Sequence, residues 1–221
     1  MPSSGAGAWD EAGRSAVLHS YDILDTPRER DFDDLAALAA SICETPIAVV
    51  NLVDTARRFF KAEVGFGVRG TPLETSFCGH AILAEDMLIV PDATKDARFD
   101  CNPLVTGEPK QRFYADALLK TGAGIPIGTL CVLDYKARAL DERQISTLRV
   151  LARQAMTQIE LRRALADQSE ALRSVTRERE RSAELTLEMS HRLKNILSIA
   201  QVIVTQTLRG VPAAPQSGAV I

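Results

Sequence analysis

Apolar side chains recur at helical spacing in the first part of the chain. Residues 14–23 have the pattern of an amphipathic helix, which Asp25-Thr26-Pro27 should end. A second helix is predicted because five apolar residues share one helical face: Phe32, Leu35, Leu38, Ala39 and Ile42. Pro46 should end this helix, because proline cannot continue the backbone hydrogen-bonding pattern. The pattern therefore predicts two helices ahead of the first strand.

The middle of the chain changes to short, dense apolar runs separated by turn residues. Residues 47–53 are rich in Val and Ile, and Asp54-Thr55 predicts a turn into a hairpin partner at 57–64. The further predicted elements are a glycine-rich loop at 65–73, a short helix at 76–84, a strand at 87–90, a helical turn at 103–106, and strands at 113–119 and 125–133. Helices that flank an antiparallel sheet with a long central insertion predict an α+β fold.

Helical periodicity returns after Asp141, which is a predicted N-cap. An apolar stripe follows at helical spacing: Ile145, Leu148, Ala152, Ala155 and Ile159. No proline or glycine interrupts the sequence between 141 and 208, so one long helix is expected. Its first part should dock through this stripe on the sheet or on a second copy of the chain.

From Leu161 onward the apolar pattern becomes a heptad repeat, with steps that alternate between four and three residues. Its members are Leu161, Leu165, Gln168, Leu172, Val175, Arg179, Ser182, Thr186, Met189, Leu193, Ile196, Ala200 and Ile203. Such a repeat is typical of a coiled coil, and we expect a parallel homodimer even though the middle of the seam is polar. The alternative is a solvated helix without a partner, which would leave an apolar stripe in water.

Composition and charge limit the partners and the cellular compartment that we expect for this chain. Of its 221 residues 46% are hydrophobic and 25% charged, which is enough for a packed core, and the net charge of −3 argues against nucleic acid or an anionic membrane as partner. The four cysteines form no Cys-x-x-Cys pair, as expected of reduced thiols in the cytoplasm. The longest apolar run, at 46–53, is too short to span a bilayer.

One histidine of the long helix has a distinctive setting. His191 lies among Glu188, Arg192, Lys194 and Asn195, and the heptad register puts it on the outermost face of the helix. A neutral imidazole there can attack a phosphoryl group, since its ordinary pKa is about 6.5. Glu188 can orient the ring through one N–H, Arg192 and Lys194 can steady phosphoryl oxygens, and Asn195 can donate and accept hydrogen bonds. The alternative is an ordinary surface histidine.

The sequence around this histidine resembles the phosphoacceptor helix of sensor histidine kinases of the HWE subfamily. The resemblance rests on residues 188–197, Glu-Met-Ser-His-Arg-Leu-Lys-Asn-Ile-Leu, and on Gln206-Thr207-Leu208-Arg209. It implies phosphorylation of His191. Kinases of this type carry an acidic residue at the position that Glu188 occupies here. It also implies transfer of the phosphoryl group to the receiver domain of a response regulator, which makes the chain part of a two-component system.

Residues 15–160 resemble the GAF family. The resemblance rests on Ile23-Leu24-Asp25-Thr26-Pro27, Phe77-Cys78-Gly79-His80-Ala81-Ile82, Asp96-Ala97-Arg98-Phe99, Asn102-Pro103-Leu104-Val105 and Ile127-Gly128-Thr129-Leu130-Cys131-Val132-Leu133-Asp134. It implies a GAF-like antiparallel sheet flanked by helices and a sensing or dimerising role, but no particular ligand. The expected organisation is a disordered N-terminus (1–13), a GAF sensor domain (14–160), a signalling coiled coil (161–185), a phosphoacceptor helix (186–209) and a disordered tail (210–221).

The resemblance to kinases also implies a part that the sequence does not show. An ATP-binding domain with glycine-rich loops and an Asn-containing Mg²⁺ motif should follow the phosphoacceptor helix, and only the short tail does. We therefore expect no cofactor in this chain, with ATP and Mg²⁺ held by a kinase domain in cis or in trans. The chain alone is predicted to be inactive as an ATP-dependent protein-histidine kinase.

Cys78 and His80 raise the question of two other sites. A metal site would take Cys101 or Cys43 as further ligands, but no pair has the spacing of structural zinc ligands. The second possibility is a covalent tetrapyrrole on Cys78, as in phytochrome-like GAF domains. The sequence around Cys78 differs from the attachment motif of those domains. We therefore expect no metal site, with Cys78 in the core and His80 at a cap or pocket.

Two other functions stay open. One is a non-catalytic GAF ligand-binding and dimerisation module that carries a vestigial kinase helix. The other is a small-molecule enzyme on a GAF-like fold, such as a free methionine sulfoxide reductase, which would need paired reactive cysteines.

Overall fold

The computed structural model of the protein describes residues 9–72, 77–84 and 86–209. The chain divides into two compact units, Met1–Leu165 and Ala166–Ile221. The helices are α1 (Glu11–His19), α2 (Arg30–Cys43), α3 (Cys78–Ala81), α4 (Pro103–Thr106) and α5 (Glu142–Arg209), with a 3₁₀ turn at Ala93–Lys95. The strands are β1 (Ile47–Val53), β2 (Arg57–Val64), β3 (Gly70–Pro72), β4 (Met87–Val90), β5 (Phe113–Lys120) and β6 (Pro126–Asp134).

The six strands form one antiparallel sheet in the order β3-β2-β1-β6-β5-β4. β1 and β6 lie at its centre, and every residue of both strands is buried. Both faces of the sheet are covered, which explains why the sequence of β1 is apolar except at Asn51 and does not alternate between apolar and polar residues. The predicted α+β fold with an antiparallel sheet and flanking helices is confirmed.

One face of the sheet, called the helix face below, packs against α1, α2 and the first part of α5. Its core includes Leu18 of α1, Phe32 of α2, and the α5 residues Leu148, Ala155 and Ile159. The predicted apolar stripe of α5 therefore docks on the sheet of its own chain. α5 begins with a capping box: the Gln144 amide N–H donates to the Asp141 carboxylate at 2.7 Å, and the Gln144 side-chain oxygen accepts from the Asp141 amide at 3.0 Å.

The opposite face, called the insertion face below, is covered by segments that lie between β2 and β5. Its core joins strand residues to Phe77, Ala81, Phe99 and Val105 from these segments. The Phe77 ring stacks on Phe99 and on Tyr114 of β5, with centroid separations of 4.3 and 5.1 Å. The central insertion therefore makes a second hydrophobic core rather than a solvated loop.

Several predicted boundaries differ from the observed ones. α1 begins at Glu11, within the segment expected to be disordered, because the Asp10 carboxylate caps it by accepting from the Gly13 amide at 2.7 Å. It ends at His19 rather than at residue 23. The predicted loop at 65–73 contains β3. Residues 1–8, 73–76, 85 and 210–221, which include the predicted tail, lie outside the described residues.

The buried face of α2 also differs from the predicted one. Leu38 was expected in the core, but its side chain is 47% exposed, while Ala36, Ala39 and Cys43 are buried. Phe32 and Ala39 of the predicted face are buried, and Leu35 packs against the core. The prediction is therefore wrong for Leu38, whose place on the buried face is taken by smaller side chains.

Candidate functional site

All five predicted site residues lie on α5, within just over two helical turns. Glu188, His191, Arg192, Lys194 and Asn195 are exposed to solvent. One regular helix fixes their relative positions, because residues three and four apart along it face the same side. An approaching protein domain can therefore reach the His191 imidazole on this helix without a local rearrangement of the backbone.

The Glu188 carboxylate is engaged by Arg192 rather than by His191. Arg192 Nη2 donates to Glu188 Oε1 at 2.5 Å, one turn along the helix. Among the described residues the His191 ring makes no hydrogen bond, so the expected Glu188–His191 contact is not formed. The physical reason is that the long, charged guanidinium of Arg192, four residues after Glu188, is a stronger partner for a carboxylate than the imidazole three residues after it.

Apolar side chains surround this polar group on the other sides of the helix. The most exposed of them include Leu187, Met189, Leu193, Ile196, Leu197, Ile199, Val202, Ile203 and Val204. On the predicted seam, Met189, Leu193 and Ile196 are 65, 58 and 62% exposed. Contiguous apolar surface of this kind is typical of a contact surface for another protein chain. The apolar band is wider than the predicted seam, because Leu197 and Ile199 lie beside it.

The cysteines are distributed over both cores and the surface. Cys43 packs on the helix face, Cys131 packs on the insertion face, and Cys101 is exposed. Burial, together with the nearby Asp141 carboxylate, raises the pKa of the Cys43 thiol to about 11, so it is an unreactive thiol near neutral pH. The side chains of Cys78 and His80 lie outside the described residues. Within the described part of the chain, no group of three side chains is arranged to hold a metal ion.

The insertion face contains a second candidate site that the sequence analysis missed. A narrow recess is lined by polar groups of Asn51, Arg58 and Gln111 and by aromatic rings that include Phe60 and Tyr114. A cavity of about 210 Å³ adjoins it. The residues common to both are Phe66, Leu104, Gln111 and Leu133. The available signal was a polar residue, Asn51, in the middle of the otherwise apolar strand β1.

The polar side chains of this recess are deeply buried. Asn51 is 0%, Gln111 5% and Arg58 8% exposed. The Arg58 guanidinium lies over the Phe60 ring, 5.6 Å from its centroid. The Asn51 side-chain amide donates to the Thr129 hydroxyl at 3.4 Å. Buried polar groups of this kind need partners, because an unsatisfied one costs about 1–3 kcal/mol.

None of the helices in the described part of the chain combines the length and the apolar character that a membrane span requires.

Comparison with known families identifies two regions. The model of the GAF domain matches residues 27–159. The model of the HWE histidine kinase matches residues 188–219, which contain all five predicted site residues. The two regions are separated by the part of α5 that carries the beginning of the heptad repeat.

A curated relative and solved structures are also similar to this chain. A cyclic di-GMP phosphodiesterase of Pseudomonas aeruginosa is 41% identical over 151 residues, which cover 68% of this chain and 26% of that protein. The chain thus spans about a quarter of the length of this relative. The GAF domain of an Acinetobacter phosphoenolpyruvate-protein phosphotransferase is 18% identical with a TM-score of 0.52, over 68% of this chain and 92% of that one. A free methionine-R-sulfoxide reductase of Neisseria meningitidis is 19% identical with a TM-score of 0.51, over 75% of this chain and 99% of that one.

At such low identities the structural similarities establish the fold alone, whereas the family match covers more than half of the chain. The chain therefore belongs to the GAF domain family and carries an HWE histidine kinase region after its GAF domain.

Proposed function

We propose that this chain is the cytosolic sensor and phosphoacceptor portion of a two-component histidine kinase, phosphorylated on His191. The observation that carries the proposal is the position of His191: it is exposed on α5, inside the segment that matches the HWE histidine kinase model. Its ring makes no hydrogen bond to another described residue. Both ring nitrogens are therefore accessible to a phosphodonor.

In the proposed reaction, one ring nitrogen of His191 attacks the γ-phosphorus of ATP bound to a kinase domain in cis or in trans. The N–P bond forms while the bond to the bridging oxygen breaks, and ADP leaves with that oxygen and its electron pair. The proton on the second ring nitrogen then becomes acidic, and Glu188 can accept it after exchanging its contact with Arg192. The freed guanidinium of Arg192 and the ammonium of Lys194 balance the charge on the phosphoryl oxygens. ATP and Mg²⁺ belong to the kinase domain and not to this chain.

The proposed partners are a second copy of the chain and the receiver domain of a response regulator. Support for the second copy comes from the exposed apolar band of α5, which recurs at heptad positions from Leu161 onward. In a parallel pair the apolar seam is covered while His191, on the outermost heptad position, stays accessible. The receiver domain would take the phosphoryl group from the same exposed face.

Phosphoryl labelling tests this proposal directly. The full chain is incubated with labelled ATP, Mg²⁺ and the ATP-binding domain of an HWE kinase, and incorporated phosphate is measured with its acid and base stability. We expect an acid-labile, base-stable phosphate on the wild-type chain, none on His191→Gln, and none when the kinase domain is omitted. His19→Gln is the matched control and should be labelled like wild type, since His19 pairs with Asp54 on the GAF domain at 3.0 Å. Equal labelling of His191→Gln and wild type would refute the assignment.

The second candidate function is a non-catalytic GAF module whose helix only dimerises. The observation in its favour is the Pseudomonas relative: it contains a stretch similar to this chain, but it is named a cyclic di-GMP phosphodiesterase and not a kinase. That activity is not proposed for this chain, because the similarity covers 26% of the relative. The same labelling experiment separates the two candidates: a chain that dimerises but takes no phosphate at His191 is the non-catalytic module.

A further inference from the structure

We propose that the recess and cavity on the insertion face bind a small phenol, meaning one aromatic ring that carries a hydroxyl group. The proposal deepens the sensor role proposed above, because it names the class of ligand that the GAF domain would detect. It rests on three features of the described residues: two orphaned polar atoms, the size of the recess, and the apolar character of the adjoining cavity.

The first feature is a pair of buried polar atoms without partners. Among the residues that the structure describes, the side-chain oxygen of Asn51 and the side-chain nitrogen of Gln111 make no hydrogen bond. One is an acceptor and the other a donor, and both belong to side chains that line the same recess. In a folded protein such atoms usually meet a ligand or an ordered water.

The second feature is the size of the recess, which has room for about 10 Å³. That is close to the lower limit for a single water molecule, so one oxygen atom fits and a carboxylate or phosphate does not. A single oxygen that must both donate to Asn51 and accept from Gln111 is a hydroxyl group. A carbonyl or ether oxygen would leave Asn51 unsatisfied, and an ammonium group, which has no lone pair, would leave Gln111 unsatisfied.

The third feature is the adjoining cavity of about 210 Å³, which is smaller than the pockets of about 300–1,000 Å³ that hold drug-sized ligands. Apart from Gln111, the described residues that line it are apolar or aromatic: Ile47, Phe66, Leu104, Pro109, Leu133 and Tyr135. Pro109 and Tyr135 are exposed and form its mouth. The cavity suits one aromatic ring, whose hydroxyl would reach the recess past the shared Gln111 side chain.

Arg58 favours a phenolic hydroxyl over an aliphatic one. Its guanidinium contributes a positive charge to the wall of the recess, in surroundings that are largely shielded from water. A phenolic O–H is a stronger hydrogen-bond donor than an alcohol O–H, which suits the bond to the Asn51 oxygen, and the nearby cation stabilises the partial negative charge on the ligand oxygen. The aromatic rings around the site add edge and face contacts to an aromatic ligand.

Fluorine NMR on the full chain tests the proposal with two matched probes. para-Fluorophenol carries the hydroxyl, whereas para-fluorotoluene replaces it with a methyl group of similar size. We expect the phenol to bind about ten- to a hundredfold more tightly, the difference that buried hydrogen bonds typically make. Equal affinity of the two probes would overturn the proposal. Failure of both to bind at millimolar concentration would also overturn it, because the recess would then hold water only.

Variants locate the binding event. Gln111→Leu and Asn51→Leu each remove one polar partner and keep the side-chain volume, so each should lower the preference for the phenol about tenfold or more. Gln111 lies outside the strands, so its variant remains informative if Asn51→Leu disturbs β1. Gln154→Leu, on the exposed side of α5, is the matched control and should leave the preference unchanged. An unchanged preference in Gln111→Leu would overturn the proposal.

The binding measurement involves no phosphoryl transfer, so the two proposals fail separately. A chain that binds the phenol but takes no phosphate at His191 has the proposed pocket without the proposed kinase role. A chain that is phosphorylated at His191 but shows no preference for the phenol retains the kinase role and loses the proposed ligand.

Discussion

Arg162 and Glu29 form an ion pair although 133 positions separate them in the sequence: Arg162 Nε lies 3.1 Å from Glu29 Oε1. Arg162 also donates to the backbone carbonyl of Asp22 at 2.9 Å. These contacts join α5 to the segment that connects α1 with α2. Arg162 lies three residues before the end of the first compact unit at Leu165. Two contacts from one side chain therefore hold this turn of α5 against the segment that precedes α2.

The same Glu29 oxygen also accepts from Lys61 of β2, at 2.5 Å. The Lys61 side chain is 0% exposed, and its ammonium further donates to the Thr26 hydroxyl and the Pro27 carbonyl, both at 2.8 Å. Burial lowers the pKa of Lys61 from its ordinary value, and Glu29 offsets only part of that effect. The three bonds that compensate this buried charge also hold the connecting segment against the sheet.

We predict that Lys61→Met lowers the free energy of unfolding by about 1–3 kcal/mol, because three acceptors lose their donor. Equilibrium unfolding in urea measures the change. Lys95→Met is the control, since the Lys95 side chain is 82% exposed, and it should stay within about 0.5 kcal/mol of wild type. A Lys61→Met protein as stable as wild type would show that the buried ammonium contributes nothing to the fold.

A second prediction concerns the proposed dimer seam of α5. Leu172→Asp places a carboxylate in the seam, where a partner helix would bury it, so the dimer dissociation constant should rise more than tenfold. Light scattering across a dilution series measures this. Leu187→Asp is the matched control, because Leu187 is 71% exposed on the same helix but lies off the seam. If both variants weakened the dimer equally, or if wild type were a monomer, the heptad seam would not be the contact.

The third prediction concerns the Glu188–Arg192 pair beside His191. Glu188→Ala should slow phosphorylation of His191 about ten- to a thousandfold, if the carboxylate takes up the ring proton during the reaction. Lys194→Ala should have a smaller effect, since water and Mg²⁺ partly replace an exposed cation. Initial rates at saturating kinase domain provide the comparison. If the Glu188→Ala chain were labelled at the wild-type rate, Glu188 would have no role in proton transfer and would act only as the ion-pair partner of Arg192.

A fourth prediction concerns pH and Asp54, at the turn between β1 and β2. Burial is the largest influence and acts to raise the pKa of this carboxyl, but the Thr55 amide at 2.9 Å, His19 at 3.0 Å and Arg57 together hold it below its usual value. A pKa that is lower in the folded state means stability that is complete above about pH 5 and is lost as the pH falls through the folded pKa.

Asp54→Asn should therefore be less stable than wild type at pH 7, by about 1–2 kcal/mol, and the difference should shrink as the pH falls below about 4. Thermal or urea unfolding at a series of pH values measures it. Asp34→Asn, at a side chain that is 71% exposed, should show little change at any pH. A difference that stayed constant down to low pH would mean that packing, and not the charge of Asp54, causes it.

Most of the helices and strands, and the α+β class, can be predicted from local sequence patterns. The dense apolar runs gave β1, β2, β5 and β6 nearly to the residue, and the uninterrupted heptad pattern gave the long helix that follows Asp141. These signals are local, because hydrogen bonding and amphipathic spacing depend on near neighbours in the chain. The same periodicity places His191 on the outermost heptad position, which stays a prediction, because every described side chain from 164 to 204 is exposed in the single chain.

Contacts between side chains could not be predicted in the same way. The choice of Arg192 over His191 as the partner of Glu188 depends on side-chain reach, which spacing does not resolve. Leu38 is exposed because the docking of α2 decides which of its sides faces the sheet. The recess of Asn51 and Gln111 joins a central strand to a residue 60 positions later, across the insertion. Such contacts arise from the packing of whole elements, because the shape of the second core decides which buried polar atoms share one space.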